Sequence, residues 1–329
     1  MRTAFVTGVT GQTGSYLAEQ LVANGERVIG LVRGGDSTAK DLLARTPEVS
    51  LIEGDFSDRE ALRRIVLDVA PDVVFNLGGL TSVASSWSEP LEMAEITGLS
   101  AAALLDAALE VQRVNERPVS FVQASSAEIF GLPTDEPQTE KTAISPTNPY
   151  GAAKAYAHFL IGSYRTLGLN ASSCILYNHE SPRRPQAFVT RKITNAVARI
   201  SLGLEDKLVL GSLDSRRDWG WAPDYAAAIA LVGANAADDF VIATGEAHSV
   251  EDFVAAAFAA VGITDWRGYV EQDPAFMRPA DATQLVGDSS KLRKQLGWAP
   301  TVTFPEIVAK MVQNDVEQES AGGAGGNEG

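Results

Sequence analysis

Thr7-Gly8-Val9-Thr10-Gly11-Gln12-Thr13-Gly14 is the stretch that decides the fold. It follows a short apolar run, Ala4–Thr7, and opens a segment of helical period that includes Tyr16–Asn24. The glycines let the backbone turn tightly and approach a pyrophosphate, and the start of the helix offers free N–H groups to it. A glycine triplet alone says little. Its place after an N-terminal strand makes it a dinucleotide-binding signature, with Gly8, Thr10, Gly11, Gln12, Thr13 and Gly14 as expected cofactor contacts.

Outward from this stretch the pattern repeats. Apolar β-branched runs appear at Val28–Val32, Val49–Glu53, Val73–Leu77 and Val119–Ala124, and helix-period segments such as Asp58–Val69 and Pro90–Val111 separate them. A further run, Ala171–Tyr177, follows the helix that starts near Tyr150. Continuous apolar strands with helical crossovers mean a parallel sheet covered on both faces. The expected class is α/β: a doubly wound parallel Rossmann sheet over residues 1–178, then a smaller mixed α/β substrate-binding domain over most of 179–319. The chain is expected to return to the sheet within 215–245, near Phe240–Ala243. Residues 320–329, SAGGAGGNEG, have nothing to bury and read as a flexible tail. No internal repeat is present.

Composition narrows the functions. The 329 residues are 45% hydrophobic, enough for a sizeable core. A net charge of −15 argues against nucleic acid, whose phosphates would be repelled. No apolar run reaches the roughly 18 residues of a membrane span, and the first residues lack the features of a signal peptide. With Cys174 as the lone cysteine, a cytoplasmic location is the expectation. His158, His179 and His248 have no ligand spacing, so no metal site is expected. Between Arg183 and Arg217 there are eight Lys or Arg and three acids, a positive island suited to an anionic small ligand. A solvated helix face is the plainer account of some of the eight.

Strand ends carry the next signals. Arg33 ends the second strand with no acid beside it, which favours the 2′-phosphate of NADP over the ribose hydroxyl of NAD. Gly54-Asp55-Phe56 ends the third strand, where Asp55 and Phe56 can meet the adenine. Asn76-Leu77-Gly78-Gly79 ends the fourth, where small residues let the backbone lie along the cofactor.

Tyr150 and Lys154, four residues apart, put a phenol and an amine on one helix face. A nearby ammonium and a positive nicotinamide both favour phenolate, so the Tyr150 pKa is expected to fall toward neutrality. Ser126 and Glu128 end the fifth strand, where parallel sheets place ligands. Ser126 can hydrogen-bond a reacting sugar hydroxyl. Glu128 discriminates: a simple dehydrogenase needs no second base, whereas an enzyme that also removes a proton α to a new ketone does. Its plainer reading is a surface carboxylate on a loop.

At this point the chain resembles the extended short-chain dehydrogenase/reductases that act on nucleotide sugars. Asn178-His-Glu-Ser-Pro-Arg-Arg184, Phe188-Val-Thr-Arg-Lys192-Ile, the run Leu213–Gly220 with Arg217-Asp-Trp-Gly, Val241–Gly245, Arg278-Pro279 and Gly287-Asp288 resemble the GDP-mannose 4,6-dehydratase family, from residue 1 to about 315. The resemblance implies a cycle on GDP-mannose. Tyr150, with Lys154, takes the C4 hydroxyl proton while hydride passes to NADP⁺. Glu128 removes the C5 proton, water leaves from C6 with Ser126 assisting, and hydride returns to C6. The implied product is GDP-4-keto-6-deoxy-D-mannose. The likeness also assigns His179 and Arg184 to the cofactor, and Ser82, Asn178, Val189, Lys192, Gly211, Arg217 and Arg278 to the nucleotide sugar beside Ser126 and Glu128. Guanidinium forks suit a diphosphate.

Several positions depart from the family pattern. Ser126 stands for the commoner Thr, Gly78-Gly-Leu-Thr-Ser82 for Ala-Ala-Gln-Ser-His, Glu92 for a Tyr near the nicotinamide, and Trp221 for a His. The second Arg after Arg33 is missing. Two rivals are a GDP-sugar 4-reductase or epimerase, which does not need Glu128, and a non-catalytic NADP-binding module, which would be expected to lose Tyr150 or Lys154. A homodimer or homotetramer is expected. Pro90–Val111 and Tyr150–Leu167 offer two apolar helices that face either a second subunit or the sheet.

Overall fold

The computed structural model describes residues 1–235, 237–276 and 284–324. The first half alternates strand and helix as expected. Its strands are β1 (Thr3–Thr7), β2 (Arg27–Val32), β3 (Ser50–Glu53), β4 (Val73–Asn76), β5 (Ser120–Ser126) and β6 (Asn170–Leu176). After them come three short strands, β7 (Asn178–Glu180), β8 (Leu208–Leu210) and β9 (Arg216–Trp221), and then β10 (Asp239–Ile242). Among the described residues seven strands form one parallel sheet in the order β10-β6-β5-β4-β1-β2-β3. The order reverses between β1 and β4, and the crevice at that reversal is where such sheets bind ligands.

Side chains alternate across each strand, so both faces of the sheet are buried. Phe5, Val74 and Phe121 point into one cluster with Leu62, Leu104 and Ile161. Val6, Phe75 and Val122 point into the other, with Leu17, Ile229 and Phe240. A separate cluster holds Ile193, Trp219, Phe253, Phe258 and Met311.

The expected return to the sheet near Phe240–Ala243 is made by β10, whereas β9 pairs with β7 and with Ala247–Ser249 in a small second sheet. Two expectations are corrected. Pro90–Val111 is not one regular helix. Pro90–Met93 leads into a π-helical stretch, Ala94–Leu99, and then the helix Ser100–Val114. The wider turn sits where Gly98 meets the backbone of Ala153, and where the Thr97 hydroxyl bonds both backbone groups of Leu80. The last helix, Phe304–Ala324, carries residues 320–324 that read as tail. Asn195 and Arg199 hold its Glu319, and an anchored helix extends at one hydrogen bond per residue. Among the described residues no helix is long and apolar enough to cross a membrane.

Candidate active site

The site begins beneath the sheet's C-terminal edge. Thr7 donates to Asn76 (2.7 Å), Asn76 to Gln123 (2.8 Å), and Gln123 to the Ala124 carbonyl (2.9 Å), all buried. This polar chain fixes the ends of β1, β4 and β5 relative to one another. The Gly78 N–H donates to the same Thr7 hydroxyl (3.0 Å).

Above it lies the glycine turn. A Cβ at Gly14 would overlap the Gly8 carbonyl, and one at Gly78 would overlap the Phe56 ring. The helix Gln12–Ala23 starts at Gly11 with no side chain capping its N–H groups and no acid in its first turn, the arrangement that favours an anion. Arg33 is exposed at the end of β2. Asp36, three residues on, accepts from Thr38 and from Thr10 of the glycine turn (2.7 Å). The sequence reading found no acid beside Arg33; the turn brings this one to the loop. Asp55 is exposed and accepts from the backbone and hydroxyl of Ser57. Gly79 follows Gly78 with φ +151°, and Ser82 caps the short helix Val83–Ser86.

The catalytic candidates meet at the end of β5. Ser126 caps the short 3-10 turn that carries Glu128, accepting from the Glu128 N–H (3.2 Å). The helix Pro149–Thr166 brings Tyr150 and Lys154 to it; both are buried. Gly151 makes the approach possible, because a Cβ there would overlap the Glu128 carbonyl. Tyr150 is hydrogen-bonded to Ser126. Lys154 Nζ donates to the Ala124 carbonyl (2.8 Å) and lies 5.8 Å from the Tyr150 ring centre.

Without the nicotinamide's charge, the protein's own electrostatics favour the protonated phenol. Burial pushes Tyr150 up to about 12, outweighing the Ser126 hydrogen bond, and the Glu128 carboxylate adds to the rise. Arg184 opposes it. Burial also pulls Lys154 down to about 8. The chain's own residues therefore hold a protonated phenol, because removing a phenolate from water costs more than this neighbourhood returns.

The Asn178–Arg184 segment docks on the first helix. Burial holds His179 down to about 4, hence neutral. One ring nitrogen lies 2.8 Å from the Tyr177 carbonyl and must donate to it, so the other accepts from the Thr13 hydroxyl (2.7 Å). His179 thus stands behind Thr13 and stacks on Tyr225. Gln12 donates to the His179 carbonyl and accepts from Ser181. Arg184 pairs with buried Glu180 (3.3 Å) and lies over Phe188.

The positive island largely dissolves. Arg183 pairs with Glu19, Arg191 with buried Asp315, Arg199 with Glu205 and Glu319, Lys207 with Glu271, and Arg216 with Asp252. All of these acids but Glu205 lie outside the Arg183–Arg217 stretch, so counting charges along it missed them. Val189 opens the helix Val189–Ser201, which also carries Lys192. Asn178 pairs in register with Trp219, the Gly211 carbonyl accepts from Gln272, and Arg217 is buried against the Arg216 carbonyl. Arg278 lies outside the described residues. Glu92 is solvent-exposed on Pro90–Met93.

Asn148 escaped the sequence reading. Its position before Pro149 marks a helix cap, but its donation to Glu128 (2.8 Å) is visible only in three dimensions.

A family model described as "GDP-mannose 4,6 dehydratase" matches residues 5–311. The chain belongs to the GDP-mannose 4,6-dehydratase family. It is 41% identical over 325 residues to GDP-mannose 4,6 dehydratase 1 of Arabidopsis thaliana, covering 95% of this chain and 90% of that one. It is 40% identical over 341 residues to GDP-mannose 4,6 dehydratase of Homo sapiens, covering 95% and 91%. Among solved structures it is similar to the UDP-glucose 4-epimerase of Thermus thermophilus in complex with NAD, with TM-score 0.82, 26% identity and coverage of 95% and 98%. A GDP-mannose 4,6-dehydratase is an enzyme, and its dehydration is a lyase reaction.

Proposed function

We propose that the chain converts GDP-mannose to GDP-4-keto-6-deoxy-D-mannose and water, with NADP as its cofactor. The glycine turn fits a dinucleotide, since it packs against the helix start too closely for a Cβ at Gly14 and leaves that start uncapped. Gly8–Gly14 and Leu77–Gly79 would hold the dinucleotide, and Arg33 would meet its 2′-phosphate. When bound, the nicotinamide supplies a hydride acceptor and donor and a positive charge that favours the Tyr150 phenolate.

The chain's own residues do the rest. Tyr150, hydrogen-bonded to Ser126, takes the proton of the sugar's C4 hydroxyl as that carbon is oxidised. The resulting ketone makes the C5 hydrogen acidic. Glu128 takes that proton, the C5–C6 double bond forms, and the C6 hydroxyl leaves with a proton as water; return of the hydride to C6 and of a proton to C5 would complete the 6-deoxy product. Asn178, Val189, Lys192, Gly211 and Arg217 would face the nucleotide. What carries this reading is a carboxylate, Glu128, on the turn packed against the first turn of the buried phenol's helix: oxidation needs one acid–base group at the sugar, and elimination needs two. The test is incubation with GDP-mannose and NADP⁺, followed by mass spectrometry. Loss of one water is expected, and it disappears in Glu128→Gln; intact GDP-mannose under conditions where the protein binds the cofactor overturns the assignment.

A self-associating face belongs to the same proposal. Leu91, Leu99, Tyr156 and Phe159 are exposed on helical segments that lie against one another. Such apolar exposure fits a symmetric homo-oligomer. Light scattering should give at least a dimer, and Phe159→Glu should shift it to monomer.

A further inference from the structure

Asn148 spends both ends of its side chain. Its Oδ1 accepts from the Gly151 N–H (2.7 Å), capping the helix that carries Tyr150 and Lys154. Its Nδ2 donates to Glu128 Oε2 (2.8 Å). The orientation is not arbitrary. A backbone N–H only donates, so the amide oxygen must face Gly151, and only the NH₂ is left for the carboxylate. Asn148 is 5% exposed, so water does not substitute for it readily. One side chain therefore ties the first turn of the Tyr150 helix to the carboxylate proposed to act at C5.

The chain returns for this purpose over a long connection. Glu128 and Asn148 are 20 residues apart, and the Ser145 N–H donates to the Ile129 carbonyl (2.9 Å), bringing the loop back to the 3-10 turn. The other ionisable groups around Glu128 are Tyr150, on which its charge acts, and beyond it Arg184 and Lys154. Among the described residues Asn148 is the side chain that donates to this carboxylate, while Lys154 donates to the Ala124 carbonyl and Arg184 pairs with Glu180.

We infer that Asn148 is a positioning residue for Glu128: it fixes the carboxylate's orientation, so that the base at C5 and the acid–base pair at C4 keep one geometry. The inference rests on Glu128 acting at C5. It gives Asn148 a duty beyond capping, and the two duties separate by substitution. Asn148→Ser keeps a cap acceptor and loses the donor. Asn148→Asp also keeps the cap and sets a second carboxylate against the first.

The experiment uses the full chain with GDP-mannose and NADP⁺, with Glu128→Gln as reference. In Asn148→Ser, kcat is expected to fall about 10–100-fold. Its KM should stay within about twofold, because the contact is not to substrate. Reduced nicotinamide should build up during turnover, since C4 is oxidised while C5 waits. In Asn148→Asp the acid limb of kcat is expected to move to higher pH by about one unit or more, as the two carboxylates come to share a proton. Melting temperatures close to wild type would show both caps intact. Wild-type kcat and acid limb in both variants overturn the inference. So does a fall in kcat without reduced cofactor and without a moved limb, which is what a loosened helix alone would give. Persisting water loss in Glu128→Gln instead overturns the reading of Glu128 itself.

Discussion

Two regions of this molecule attract negative charge by different means. At the start of the helix Gln12–Ala23 the attracting groups are backbone N–H, left uncapped behind glycines that cannot take a side chain. Between Arg183 and Arg217 they are guanidinium and ammonium groups, most of which already hold a carboxylate. A backbone site has no competing use inside the protein. A side-chain cation can be claimed by any acid the fold brings near. The first region is therefore the one proposed to bind by geometry, and much of the second is part of how the chain holds itself together.

Arg191→Ala strikes the second region hardest. It strips the partner from Asp315, which is fully buried, and should cost about 3–5 kcal/mol in denaturant unfolding. The Arg191 side chain also donates to the Pro182 carbonyl, so docking of the Asn178–Arg184 segment should loosen with it. A loss below about 1 kcal/mol would mean the pair is not structural. Gly14→Val tests the first region: overlap with Gly8 should weaken dinucleotide binding by about 10–100-fold in a fluorescence titration. Unchanged affinity would mean that the turn is not the site.

Lys154 sharpens the contrast, because it is a buried cation with a carbonyl for a partner. Its folded pKa is lowered, to about 8, so the unfolded chain binds its proton more readily. The penalty is full below pH about 8 and disappears as pH rises toward the ordinary lysine value. Lys154→Met should therefore be more stable by about 1–3 kcal/mol at neutral pH, inactive, and level with wild type near pH 10. Equal stability at every pH would contradict the burial account. Arg199→Ala is the smallest change: with its side chain solvent-accessible, the denaturant midpoint should barely move and cofactor affinity should stay unchanged.

The same contrast explains what the sequence could and could not tell. Strands β1 to β6 and the glycine turn were legible because apolar runs and glycine spacing are local properties. The pairing of Ser126 and Glu128 with Tyr150 followed from their places at a strand end and on a helix face. The π-helical stretch was hidden because its hydrophobic spacing is nearly that of an α-helix. The three-residue strands β7 and β8 are too short to show alternation. Asn148 reads locally as a cap, and its second bond depends on a 20-residue loop closing. Burial, which raises Tyr150 in the protein alone, was hidden because a sequence displays neighbouring charges and conceals burial.

The central claim is that hydride leaves C4 and returns at C6 of the same sugar, with Glu128 acting between. GDP-mannose carrying deuterium at C4 tests it most directly, with NMR and mass spectrometry of the product formed in ordinary water. The account predicts a product lighter by one water, deuterium retained and found at C6, no net reduced cofactor, and none of this in Glu128→Gln. Deuterium still at C4, or a nucleotide sugar that keeps its C6 oxygen, would contradict it.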